Sequence, residues 1–221
     1  MARTKTVSAL VLLLAGGMIT AEDVLAQACL GNPAGPGRFA LGGAIGFTDG
    51  ATGYKASLLA NLEGPLAVGA SYTLTDVDDI DENVNSFGGT IAYELPLQGI
   101  SACPATGLGY SRFSMDFGLG IEVEASSLSI PIGLGLGHTF TADGPLALTL
   151  YAVPQFLYMR TRSEASDGID EFEETDTSSE FGAELGFTLG LRQVFFGAAV
   201  SLTTVEDSDP VFSIGVGLMF P

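Results

Sequence analysis

The stretch VFSIGVGLMF, Val211–Phe220, decides the fold. Phe212, Ile214, Val216, Leu218 and Phe220 are apolar, and Ser213, Gly215 and Gly217 between them are small. A period of two is a β-strand whose side chains point alternately to two faces. A strand of a soluble sheet would put charged or polar residues on its solvent face. Neither face carries a charge here. A strand of a membrane barrel instead sets apolar residues toward lipid and small or polar ones toward the lumen. The stretch therefore predicts a membrane-spanning strand.

The same two-faced pattern recurs upstream. It predicts strands over Arg38–Thr48, Tyr54–Leu62, Leu66–Thr75, Ser86–Leu95, Ala105–Met115, Ala125–Thr139, Leu146–Arg160, Glu180–Leu191 and Val194–Thr204, with Val211–Phe220 as the tenth and last. Glu63-Gly64-Pro65 reads as a tight turn and Thr141 to Pro145 as a turn. The stretch Asp116–Glu124 is equally a loop or a strand extension. So many apolar strands leave no exposed edges only if they close. The expected fold is all-β: a transmembrane antiparallel up-and-down barrel of about ten strands, with eight or twelve as alternatives. Closure pairs Val211–Phe220 with Arg38–Thr48.

Composition and the N-terminus agree. The 221 residues suit one domain, with 47% hydrophobic, only 15% charged and 30 glycines. After the N-terminus there is no apolar run long enough for a spanning helix. Residues 1–28 read as a signal peptide: Arg3 and Lys5, then the apolar stretch Val7 to Ile19, then Ala26-Gln27-Ala28 as an A-x-A cleavage site. Residues 29–37 are a Gly/Pro-rich periplasmic lead-in, and 38–221 the barrel. Cleavage removes two cations and two acids (Glu22, Asp23), so the net charge of −18 stays with the mature chain. That acidity excludes nucleic acid as a partner.

Short connections alternate with long acidic ones, as periplasmic turns alternate with extracellular loops in outer-membrane barrels. An even strand number puts both termini on the periplasmic side. Cys29 and Cys103, the only cysteines, then share that side, and in an exported chain they predict a disulfide. Lipidation of Cys29 is the competing reading.

The last strand ends in Ser213, Gly215, Leu218 and Phe220, a polar-x-Gly-x-x-apolar-x-aromatic run. This resembles the C-terminal assembly signal of bacterial outer-membrane barrels, although Pro221 follows the aromatic residue. With the signal peptide and the two-faced strands, the mature chain is similar to the small barrels of the OmpA, OmpX and OmpW families. The resemblance implies an outer-membrane location in a Gram-negative-type envelope, contact with outer-membrane lipid, delivery by the barrel assembly machinery and a monomeric barrel. It is specific for architecture and carries over no catalytic residues.

Chemistry is sparse. The lone His138 has no acid partner visible in sequence, so an interfacial polar residue is the reading preferred to a catalytic base. Acidic clusters are the strongest chemical feature. Asp76, Asp78, Asp79, Asp81 and Glu82 form one, and offer oxygen ligands to Ca²⁺ or Mg²⁺ without EF-hand spacing. Glu164, Asp167, Asp170, Glu171, Glu173, Glu174 and Asp176 lie in the longest expected loop, Thr161 to Ser179, and Glu206, Asp207 and Asp209 in the last. No resident cofactor is expected. Alternation places Arg38, Lys55, Glu94, Glu184 and Arg192 in the lumen, either paired as a plug or lining a narrow pore. Pro131 and Pro154, within about a residue of facing each other, predict a weak point in their hairpin. The expected role is non-enzymatic, structural or surface-interacting through the acidic loops. A narrow pore is the alternative, and a lipid-modifying enzyme a more distant one.

Overall fold

The computed structural model describes residues 39–62, 65–78, 83–97, 100–116, 122–141, 145–166, 171–204 and 208–221. The expected signal peptide and lead-in, with Cys29 and Arg38, and also Asp79, Asp81, Glu82, Asp167, Asp170, Glu206 and Asp207, lie outside them.

The strands are β1 Phe39–Thr48, β2 Ala51–Asn61, β3 Leu66–Val77, β4 Asn83–Tyr93, β5 Leu95–Leu97, β6 Ile100–Asp116, β7 Glu122–Thr141, β8 Leu146–Ser166, β9 Glu171–Leu191, β10 Val194–Thr203 and β11 Val211–Phe220. Ten of them close into an antiparallel up-and-down barrel. The three-residue β5 is an extra flap pairing with β6 from Leu95↔Ala102 to Leu97↔Ile100, within a connection expected to be irregular. Consecutive strands pair, and β4 skips β5 to pair with β6. The expected closure is made by β1 on β11, in register from Phe39↔Phe220 to Phe47↔Phe212. Phe39 and Phe220 thus mark one rim, called the terminal end below.

The outer wall has the layering of a bilayer. Phe39, Tyr93, Phe140, Phe196 and Phe220 are exposed near the terminal end. Phe47, Tyr54, Tyr72, Phe87, Tyr110, Tyr158 and Phe212 are exposed toward the far end. Leu41, Leu58, Ile91, Leu108, Leu134, Leu150, Leu185 and Val216 fill the wall between them and are exposed too. Phe39 and Phe47 stand eight residues apart on β1. At about 3.3 Å per residue and a tilt of about 40°, that separates the girdles by roughly 20 Å. An aliphatic band of that height between aromatic girdles is stable against hydrocarbon and not against water. At the far girdle Tyr72 packs at a tilt against Phe87 (centroids 5.1 Å apart, planes at 48°) and its hydroxyl donates to Asn85 Oδ1 at 2.6 Å. Its ring faces the apolar band and its polar tip the water side.

The β9–β10 turn at the terminal end is tight. Arg192 and Gln193 alone join β9 to β10, with Arg192 at φ 55°. That left-handed conformation matches the strand twist in a two-residue hairpin.

At the far end the wall is uneven. β6 to β9 run 17, 20, 21 and 21 residues, whereas β1 to β4, β10 and β11 run 10 to 12. This corrects the expected loop Thr161–Ser179. Most of it is ladder, paired from Thr161↔Asp176 to Ser166↔Glu171. The hydrophobic alternation that marks a strand fades here because the segment no longer faces lipid. Hydrogen bonding and cross-strand charge pairs continue it.

The two prolines do not face each other. Pro131 pairs with Leu157, and Pro154 with Ala183 of β9. Each interrupts a different ladder. The β6–β7 pairing breaks between Thr106↔Ile132 and Gly109↔Ser129, around Pro131. The β7–β8 pairing breaks between Gly133↔Gln155 and Leu136↔Ala152, around Pro154. A missing N–H produces each gap. At the first, the Thr106 hydroxyl donates to the Pro131 carbonyl at 3.0 Å.

Candidate functional site

Side chains fill the lumen in two zones. Near the terminal end Ala40, Leu59, Ala92, Cys103, Ala105, Val153, Phe195 and Met219 form one buried apolar cluster, with Tyr151 packed against it. These are inward positions of seven different strands, so the cluster crosses the barrel interior. Two aromatic rings lie over glycines directly opposite them in the ladder. Phe195 pairs with Gly217 and Tyr151 with Gly186. A Cβ on either glycine would run into that ring. The glycines are therefore what lets the rings lie down across the lumen.

Farther in, the lining is polar: Lys55, Ser57, Thr73, Thr75, Thr90, Ser111, Ser127, Ser129, Gln155, Glu184, Thr188 and Ser201 are all buried. Glu184 is 1% exposed. A cavity of about 30 Å³ lies between Gly42, Ser57, Tyr151, Glu184, Thr188 and Phe195. That is room for about one or two waters. The Gln155 amide and the Thr90 hydroxyl find no hydrogen-bond partner among the described residues. Buried polar atoms of this kind are normally satisfied by water.

Of the expected lumen charges, Lys55 and Glu184 are buried on inward positions of β2 and β9. Glu94 and Arg192 are not in the lumen. Both are exposed at the terminal rim, beyond the last residues of β4 and β9. Alternation has no meaning past a strand end, which is why it misplaced them. Glu94 Oε1 accepts from the Ser101 hydroxyl at 3.3 Å. Arg38 lies outside the described residues.

In the assembly-signal run, Leu218 and Phe220 are exposed to the lipid side, while Ser213 and Gly215 take the inner face. Of the proposed metal ligands, Asp76 is exposed at the far end of β3, and Asp78 in the turn after it. No group of three or more metal-ligating side chains occurs among the described residues. Cys103 is buried on an inward position of β6, and no free cysteine occurs among the described residues. His138 points outward and meets Phe140 edge-on at 4.3 Å.

Three arginines stand on the outer wall, where inward alternation of charge does not look for them. Arg112, Arg160 and Arg162 project outward just beyond Tyr110 and Tyr158. Arg112 Nη2 meets Glu124 Oε2 at 2.8 Å. Arg162 meets Glu164 at 2.8 Å and Glu173 at 3.0 Å. Carrying the alternation on past the aromatic residues would have put all three on the outer wall.

No family model and no curated protein matches the chain. Its fold is similar in outline to several solved barrels. The N-terminal β-barrel domain of Pseudomonas aeruginosa OprF is 12% identical, with a TM-score of 0.38 over 85% of this chain and 100% of that one. The Neisseria meningitidis NalP translocator domain is 10% identical, with a TM-score of 0.49 over 83% and 86%. Ail of Yersinia pestis is 13% identical, with a TM-score of 0.38 over 83% and 95%.

Proposed function

We propose that the protein is a non-enzymatic integral outer-membrane barrel with a structural or surface-interacting role. It acts as a monomer inserted by the barrel assembly machinery, with both termini periplasmic and the tall β6–β9 wall outermost. The observation that carries this reading is the filled lumen. Phe195, Met219, Leu59 and Val153 meet across its terminal end, which narrows any path for a solute. The surface beyond the bilayer then holds what remains for function. It consists of the extended hairpins with their charge pairs and the acidic segments on either side.

A narrow pore is the second reading, favoured by the polar inner zone with buried Lys55 and Glu184. Planar-bilayer recording separates the two. The filled lumen gives no discrete conductance at any moderate voltage, and reproducible single-channel steps would replace the structural reading with the pore.

A further inference from the structure

We infer that Arg112, Arg160 and Arg162 form a docking site for the phosphates of a phosphorylated outer-leaflet glycolipid. The inference rests on the membrane reading above, because it needs the far girdle to lie at the outer leaflet. Height is the first argument. On β8, Tyr158 is followed two residues later by Arg160 and then by Arg162, all on the outer face. On β6, Tyr110 is followed in the same way by Arg112. Interfacial aromatic residues sit at the headgroup level, so the guanidinium groups begin where lipid phosphates lie.

Grouping is the second argument. The whole chain has only 8 Lys and Arg against 26 Asp and Glu. Three of the eight stand on this one patch of wall. Arg112 and Arg162 share a row through Ser126 of β7, which pairs with both. Two strand spacings put their backbones about 10 Å apart, a separation suited to a headgroup carrying two phosphates.

Availability is the third. Arg160 is exposed, and its ladder partners are Leu128 and Thr177, with no carboxylate at either position. No ion pair holds it among the described residues. A guanidinium at a lipid boundary without a carboxylate presents its paired N–H donors to phosphate oxygens. The arginines already paired with Glu124, Glu164 and Glu173 are held in place beside it.

The test is native mass spectrometry of the full mature protein in detergent with added lipid A. The variants are Arg160→Gln and the triple Arg112→Gln, Arg160→Gln, Arg162→Gln. Insertion is checked first in phosphatidylcholine vesicles, by heat-modifiable gel mobility and protease protection. The expected result is lipid A occupancy on wild type about fivefold above the triple variant, with Arg160→Gln between them. Phosphatidylcholine adducts stay equal, and dephosphorylated lipid A binds all three proteins alike. Equal lipid A occupancy on inserted wild type and triple variant overturns the site alone. A wild-type chain that does not insert overturns the membrane reading and the site with it.

Discussion

The ring of Phe195 covers the backbone of Gly217, its direct partner in the β10–β11 ladder, and also approaches the position of a Gly42 Cβ to 3.4 Å. A side chain on Gly217 has no room, because Phe195 and the Leu41 carbonyl already occupy the space. Gly217→Ala is therefore expected to destabilise the barrel by about 1–3 kcal/mol through overpacking. Gly43→Ala is the control. Its Cβ would meet only the Lys55 carbonyl, at 3.7 Å, so little change is expected. Urea unfolding followed by circular dichroism in matched detergent measures both. Equal midpoints for the two variants would refute the account of the Phe195 ring.

Removing large side chains from the apolar cluster should open the lumen. Phe195→Ala together with Met219→Ala deletes the two large side chains contributed to the apolar cluster by β10 and β11. The expected outcome is ion conductance in planar bilayers where the parent shows none. A stability loss accompanies it, about 3–5 kcal/mol for the Phe substitution alone. A folded double variant that stays silent would mean that the polar zone around Gln155 and Glu184 also blocks the lumen.

How much of this was readable beforehand differs by layer. The outer face was legible, because lipid demands an apolar residue at every second position, and Val211–Phe220 states that rule plainly. The inner face was not. Phe195 and Met219 hold positions in stripes otherwise made mostly of Gly, Ala and Ser, and only the closed cross-section shows that they meet. Charges at the rim misled for a related reason: Glu94 and Arg192 continue the count of a strand that has already ended. The polar hairpin of β8 and β9 was missed because no hydrophobic period marks a strand outside the membrane.

Cys103 bears on the disulfide. It is buried on an inward position of β6, in the apolar cluster near the terminal end. The folded protein is expected to resist maleimide until reduced. Cys103→Ser is expected to lower stability by about 2–4 kcal/mol. Maleimide labelling of unreduced, denatured protein checks it: labelling of both cysteines there would show that no bridge exists.

The proline gaps predict a local signature. Amides of Gly107, Leu108 and Leu134 flank the interrupted rungs, whereas those of Ser111 and Ser127 lie in continuous ladder. Hydrogen exchange in detergent micelles should be faster at the first set. The difference follows from missing partners and not from depth, so it should survive in bilayer nanodiscs. Equal protection would mean that water or relaxed geometry mends the gaps.

The outermost hairpin offers a test of what holds a strand together once lipid no longer does. Arg162 lies between Glu164 and Glu173 and bonds both, and Glu164 and Glu173 are themselves direct partners across β8 and β9. Without Arg162 two like charges face each other, an arrangement that disfavours pairing. Each ion pair is exposed, so each contributes only about 0–1 kcal/mol. Arg162→Glu should thus leave the unfolding midpoint of the whole barrel nearly unchanged, since the spanning part of each strand is untouched. It should still raise hydrogen exchange across 161–166 and 173–177, where four carboxylates, Glu124 among them, would crowd one face. High salt should partly restore protection by screening them. If exchange there is the same in parent and variant, backbone pairing alone sustains the extension and the charges are incidental to it.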